Sequence, residues 1–186
     1  MQTVVNLYPI SGLPGQFADN AFHEVKSYAA KVAIGFGILC EIVLTNGYEE
    51  IQPVQDSGTT SSFLPKLAGV TAYDPAREQA LGGGGGSYAA GEMVPCVRKG
   101  RVFGVSDGGG TWPTDAPVRV WHSSDGTHLQ GVFTMTAASA TGGAEIDLVP
   151  ATQGIVIGTE PDRASGSYTD DAGNVIQTAV VALNLV

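Results

Sequence analysis

The chain has 186 residues, of which 43% are apolar, only 15% are charged and 26 are glycine. That length buries a core without staples, and so much apolar content at low charge excludes intrinsic disorder. The formal net charge of −9, from nine Lys and Arg against eighteen Asp and Glu, excludes a large nucleic-acid surface, which needs clustered cations to displace counterions, and argues equally against docking on anionic lipid.

Residues 1–22 read as an extended arm, because Pro9, Gly12, Pro14 and Gly15 break any helix. The opening MQTVVNLYPI has neither a cationic start nor a long apolar run, so no signal peptide is visible. His23–Lys31 suggests a short turn of helix. Val32–Leu44 is dense in Val, Ile, Leu and Phe and reads as a buried strand or a bent strand pair. Glu41 interrupts it, and it falls well short of the roughly 20 residues of a membrane span. Asn46-Gly47 follows, the strongest short hairpin signal because both residues tolerate positive φ, and Tyr48–Gln55 is the return strand.

Gly58–Ser62 is a polar loop, and Leu67–Tyr73 is another strand ending at Asp74-Pro75. Ala76–Ala90 carries five consecutive glycines, Gly82–Gly86, and reads as a long exposed loop. Met93–Val97 and Arg101–Val105 form a hairpin turning at Lys99-Gly100. Val118–Ser123 and His128–Thr134 flank Asp125-Gly126 as a further hairpin. Ile146–Val149, Gly154–Thr159 and Val175–Val186 complete the strands, with Asp170–Asn174 as the turn before the last. About nine or ten short strands at this spacing, without βαβ alternation, predict a mainly β protein, an antiparallel β-barrel or sandwich of jelly-roll type with an extended N-terminal arm and little helix. The arm is 1–22 and the β-rich domain is 23–186, with a candidate sub-boundary near 106–117.

The glycine run is not a phosphate cradle: Ser87-Tyr88 stand where Lys-Ser/Thr would be needed, and Pro95 opposes a following helix. Five glycines lose much backbone entropy on ordering, which favours slack. Arg98, Lys99 and Arg101 place three of nine positive charges within four residues. They are either solvated charges on a hairpin end or a docking knob for an acidic partner, where Arg supplies bidentate contacts. His122 and His128 could meet near Asp125, but two imidazoles and a turn aspartate fall short of a metal set; Asp125 is explained by the turn itself. Cys40 and Cys96 lie in apolar runs and read as buried free thiols. Glu49-Glu50 and Asp170-Asp171 are adjacent pairs that point to opposite strand faces, unsuited to acid–base work. No Gly-x-Ser-x-Gly elbow is present. No cofactor and no metal are expected. Trp112, Tyr73 or Tyr88 as stacking platforms would suit the alternative reading, a carbohydrate-binding β-sandwich module; Trp121 reads as core.

"GLPGQFAD" at 12–19, "VKSYAAKVAIGFGILC" at 25–40 and "SYAAGEMVPCVRKGRVFGV" at 87–105 together resemble the capsid cement proteins of tailed bacteriophages, also called decoration or head-stabilising proteins. The family's elements correspond to Pro14–Asp19, Ile34–Leu39 and Tyr88–Val102, and the resemblance covers about the first 105 residues. It implies a non-enzymatic β-rich virion protein on the outer surface of the capsid, usually a homotrimer, that bridges major capsid protein subunits against the pressure of packaged DNA. Nucleic acid and membrane are not partners in that role. An extended arm gains affinity by laying main chain along a neighbour. The partner-binding candidates are therefore Pro14, Gly15, Gln16 and Phe17 on the arm, with Arg98, Lys99 and Arg101.

Overall fold

The computed structural model describes residues 13–18, 22–55, 67–75, 86–106, 118–121, 129–134, 145–148, 166–169 and 175–185. Among them are β1 (Glu24–Ala30), β2 (Ile34–Gly35), β3 (Leu39–Thr45), β4 (Tyr48–Pro53), β5 (Leu67–Thr71) and β6 (Ser87–Tyr88). The second half of the chain contributes β7 (Met93–Ser106), β8 (Val118–Trp121), β9 (Phe133–Thr134), β10 (Glu145–Leu148), β11 (Gly166–Thr169) and β12 (Val175–Asn184). Among the described residues the expected mainly β barrel or sandwich, almost free of helix, is what forms.

β3 and β4 make the hairpin that Asn46-Gly47 signals. Thr45 faces Tyr48 across a two-residue loop, and Asn46 (φ 52°) and Gly47 (φ 83°) both take positive φ, as a type I′ turn requires. β4 pairs with β1, β3 with β5, β5 with β7, and β7 returns to β1. The ring of pairings closes a five-stranded barrel. Most ladders are antiparallel, but β1–β4 and β7–β9 are parallel.

Side-chain alternation explains the two cores. Tyr28, Ala30, Cys40, Ile51, Ala68, Val94 and Cys96, drawn from all five barrel strands, are buried in one apolar cluster, which fills the barrel. Leu39, Leu67 and Val97, next to Cys40, Ala68 and Cys96 in sequence, turn to the opposite face. There they meet Val120, Phe133, Val181 and Leu183 of β8, β9 and β12 in a second cluster. The two-stranded β2–β6 sheet adds Ile34 and Tyr88 to the barrel cluster.

Two local expectations are corrected. His23–Lys31 is not helical: Glu24–Ala30 is β1, flanked by β7 antiparallel and β4 parallel, and tertiary pairing overrides weak local preference. Nor do Met93–Val97 and Arg101–Val105 fold back on each other. They are one strand of 14 residues. β1 pairs with Glu24 opposite Lys99 through Ala29 opposite Met93, and β12 takes over from Lys99 to Ser106. Each half has its own partner, so Lys99-Gly100 bends the strand without reversing it. Gly100 (φ 115°) lies beneath the His23 ring, and a side chain there would meet that ring.

Val118–Ser123 and His128–Thr134 do pair antiparallel, as β8 and β9; the Asp125-Gly126 turn with His122 and His128 lies outside the described residues. So do Gly58–Ser62, Gly154–Thr159, Asp170–Asn174, Trp112 and Gly82 to Gly85. Gly86, the last of the glycine run, is described and buried, and a Cβ there would enter the Phe36 ring.

Candidate interaction surface

The arm candidates occupy a seam of the sheet. Gly15 N donates to Phe103 O (2.7 Å), Phe103 N to Gln16 O (2.9 Å) and Ala18 N to Arg101 O (2.9 Å), while Tyr73 N donates to Gly15 O (2.9 Å). Phe17 and Val102 form an antiparallel bridge. Residues 13–18 thus turn at Pro14-Gly15, where Gln16 N donates to Leu13 O at 3.0 Å, and lie against β7 through the single Phe17–Val102 bridge. Pro14 and Gly15 are buried and Gln16 is half-buried; the Gln16 side-chain oxygen accepts from Leu13 N at 3.1 Å. Of the four, Phe17 presents the most surface, 41% exposed. Pro14 and Gly15 are therefore packed into the body, and the Gly15 hydrogen bonds hold the neighbouring Phe17 beside β7.

The three cations divide in the same way. Arg98 is half-buried and its Nη1 donates to the Tyr28 hydroxyl at 3.2 Å, while its carbonyl accepts from Leu185 N at 2.9 Å. Its position is structural, joining β1, β7 and the end of β12. Lys99 Nζ pairs with Glu24 at 3.1 Å with both side chains about two-fifths exposed, a geometry in which an ion pair adds little. Arg101 is exposed.

The fold adds neighbours that sequence reasoning missed. The Phe17 and His23 rings stand 4.2 Å apart between centroids. His23 Nε2 lies 3.2 Å from the Arg101 carbonyl oxygen. Phe22 is 80% exposed beside it, and Val25 is exposed two residues on. The Phe17 and His23 rings therefore stand at the Gly100–Arg101 backbone, and Phe22 and Val25, on either side of His23 in the sequence, are exposed. The only sequence sign was an unexplained Phe22 among polar residues; the link from residue 17 to 23 and 101 exists only once β1 and residues 13–18 both lie against β7.

The remaining candidates resolve into core. Tyr88 is buried, its hydroxyl donating to Ala72 O at 2.9 Å, and Phe36 packs edge-on to both Tyr73 and Tyr88. Trp121 is buried as expected. The Tyr88 stacking platform is thereby removed. Cys40 and Cys96 are free and buried. Burial pushes the Cys40 thiol well up, with Cys96 and Glu41 adding to it. Burial pushes Cys96 up to about 12 against a weaker opposing pull from Arg98. Glu41 is buried too, accepting from Gln52 Nε2 at 2.8 Å. Among the described residues no group of three His, Cys, Asp or Glu gathers to hold a metal ion.

A closed barrel and a second layer sharing its longest described strand define a β-rich protein built on two cores. The chain belongs to the phage structural cement proteins: the family model described as structural cement protein (E217 gp24/Pam3 gp6) matches residues 1–184. It is a structural component of the virion attached to the capsid. A comparison with curated proteins finds no match.

Proposed function

We propose that the protein binds the outer surface of the assembled capsid as a homotrimer and bridges neighbouring major capsid protein subunits, holding the shell against the pressure of packaged DNA. The observation that carries this reading is the family match over residues 1–184. The acidic balance of the chain supports it, since an outer-surface protein has no need of DNA contacts. Residues 14–17 and 98–101 form its contact region, with Phe17, Lys99 and Arg101 at the surface and Pro14, Gly15 and Arg98 beneath them. Three linked copies multiply a weak single contact into firm attachment.

The composite surface that the trimer recognises exists only after capsid expansion brings subunits into their final arrangement, and the protein stabilises that state by its differential affinity for it. Co-sedimentation of the purified protein with shells before and after expansion tests this. Binding to expanded shells alone is expected. Equal binding to both rejects the selectivity, and binding to neither rejects the role.

A further inference from the structure

Main-chain pairing leaves one edge of the barrel half-satisfied. β7 flanks β1 from Glu24 to Ala29, but β4 joins it only at Ala29 and Ala30. Strand alternation fixes which way each β1 residue turns its N–H and C=O. Ala30 N donates to Glu92 O at 2.8 Å, on the β7 side, and Lys31 N to Ile51 O at 2.8 Å, on the β4 side. Odd-numbered residues of β1 therefore address the β4 side. Pro95 gives the same phase: its carbonyl accepts from Ala72 N at 2.8 Å, beyond the end of β5, so its partner Ser27 turns away from β7. Val25 and Ser27 thus present two N–H and two C=O groups past the end of the β1–β4 ladder. Among the described residues no hydrogen bond reaches these four groups.

The edge is also accessible, since Val25, Lys26 and Ser27 are all exposed. A lysine commonly guards an open edge, but Lys26 leans off this one. Its Nζ stands 4.7 Å from the Tyr28 ring centroid and 3.7 Å from Glu49, drawn to the face that carries Tyr28. An unpaired, accessible edge is a template for a further strand.

We infer that residues 1–12 of a neighbouring copy add as a strand to the open edge of β1 at Val25–Ser27. The inference rests on the homotrimer reading above and assigns its contact. Twelve residues precede Leu13, and extended they span about 40 Å, enough to leave one body and reach the next. They carry no charge, and Thr3, Val4, Val5 and Tyr8 are strand formers, with Pro9 closing the run. Such a strand suits an edge on which Glu24 and Lys26 balance each other. Its own chain leaves the edge bare, and residues 15–18 are tied to Arg101 and Phe103 of β7 instead. Arm against edge joins two different patches, the heterologous contact that a ring of three requires. Four hydrogen bonds are weak singly, and three such joints in a closed ring reinforce one another.

The test combines sedimentation velocity with hydrogen exchange at the Ser27 amide, and circular dichroism checks folding. The full chain is expected as a trimer with a protected Ser27 amide. Removing residues 1–12 should weaken association by roughly tenfold or more and expose that amide, with the thermal midpoint nearly unchanged. A synthetic peptide of residues 1–12 should restore the protection. Ser27→Pro removes an N–H that β7 does not use and should weaken association alike; Val5→Pro on the arm makes the same test without touching the body. A trimer that persists in the truncated chain, or a Ser27 amide that exchanges equally fast with and without residues 1–12, overturns the inference and leaves the trimer reading intact. Protection that survives dilution to monomer assigns the edge to the chain's own arm and overturns the exchange between copies. Variants that stay trimeric but no longer sediment with capsids give the edge to the capsid protein, which overturns it too. A wild type that is monomeric at all concentrations overturns the trimer reading itself, and this contact with it.

Discussion

The backbone nitrogen of Gly15 donates to the carbonyl oxygen of Phe103 at 2.7 Å, and this contact fixes where the N-terminal segment enters the fold. Gly15 has φ +77°, and a Cβ there would stand 2.5 Å from Thr71 O and 2.6 Å from Tyr73 N. Both obstacles are backbone, so neither yields cheaply. Gly15→Ala should therefore cost about 2–4 kcal/mol, within the range of backbone strain plus overpacking. Gly47→Ala is the control: its φ is +83° but it has open space around it, so the cost should stay near 1 kcal/mol. Urea midpoints of the two variants measure the difference.

Truncation should separate the two parts of the expected arm. Removing residues 1–20 deletes four main-chain hydrogen bonds between Gly15, Gln16 or Ala18 and the body, each with a net value of about 1 kcal/mol. A cut after residue 12 keeps all four. The longer deletion should lower the thermal midpoint by several degrees, while the shorter leaves it within a degree or two. Capsid co-sedimentation of the shorter form then reports on residues 1–12 alone.

The buried thiols predict an alkaline weakness. The folded protein holds the Cys96 proton to about 12, against 9.0 for a free thiol, and the Cys40 proton well beyond its usual range. Below pH 9 both states keep the proton and stability is unaffected. Above it the unfolded chain ionises first, so stability falls steadily from pH 9 toward 12. Cys40→Ala with Cys96→Ala should flatten that decline. In the native wild type at pH 8, a thiol reagent should label neither cysteine until denaturant is added.

Tyr88→Phe should cost about 1–2 kcal/mol, because the Ala72 carbonyl would lose the buried donor it meets at 2.9 Å. Thermal unfolding measures that loss.

Much of the architecture was legible because its signals are local. Asn46-Gly47 set a hairpin whose turn dihedrals the structure reproduces, and the apolar density of Val32–Leu44 resolves into β2 and β3. What failed depended on distant partners. EVKSYAA carries no strong strand preference, and it becomes β1 because β7 and β4 accept it on either side. Lys99-Gly100 looks like a turn from within, but two different strands occupy the two halves of β7, which holds the segment extended. The cationic cluster was visible as composition, yet only the fold separates half-buried Arg98 from exposed Arg101. The Phe17–His23 ring contact was invisible, since the two residues meet only when both segments lie against β7.

Strand β7 gives its first half to β1 and its second to β12. A pull along the strand direction that separates the barrel from the second layer must drag that one segment lengthwise past both antiparallel neighbours. Its bonds are then loaded side by side in shear instead of being unzipped one after another. A molecule stretched along β7 between anchors on the two layers thus carries tension through one continuous tie-rod.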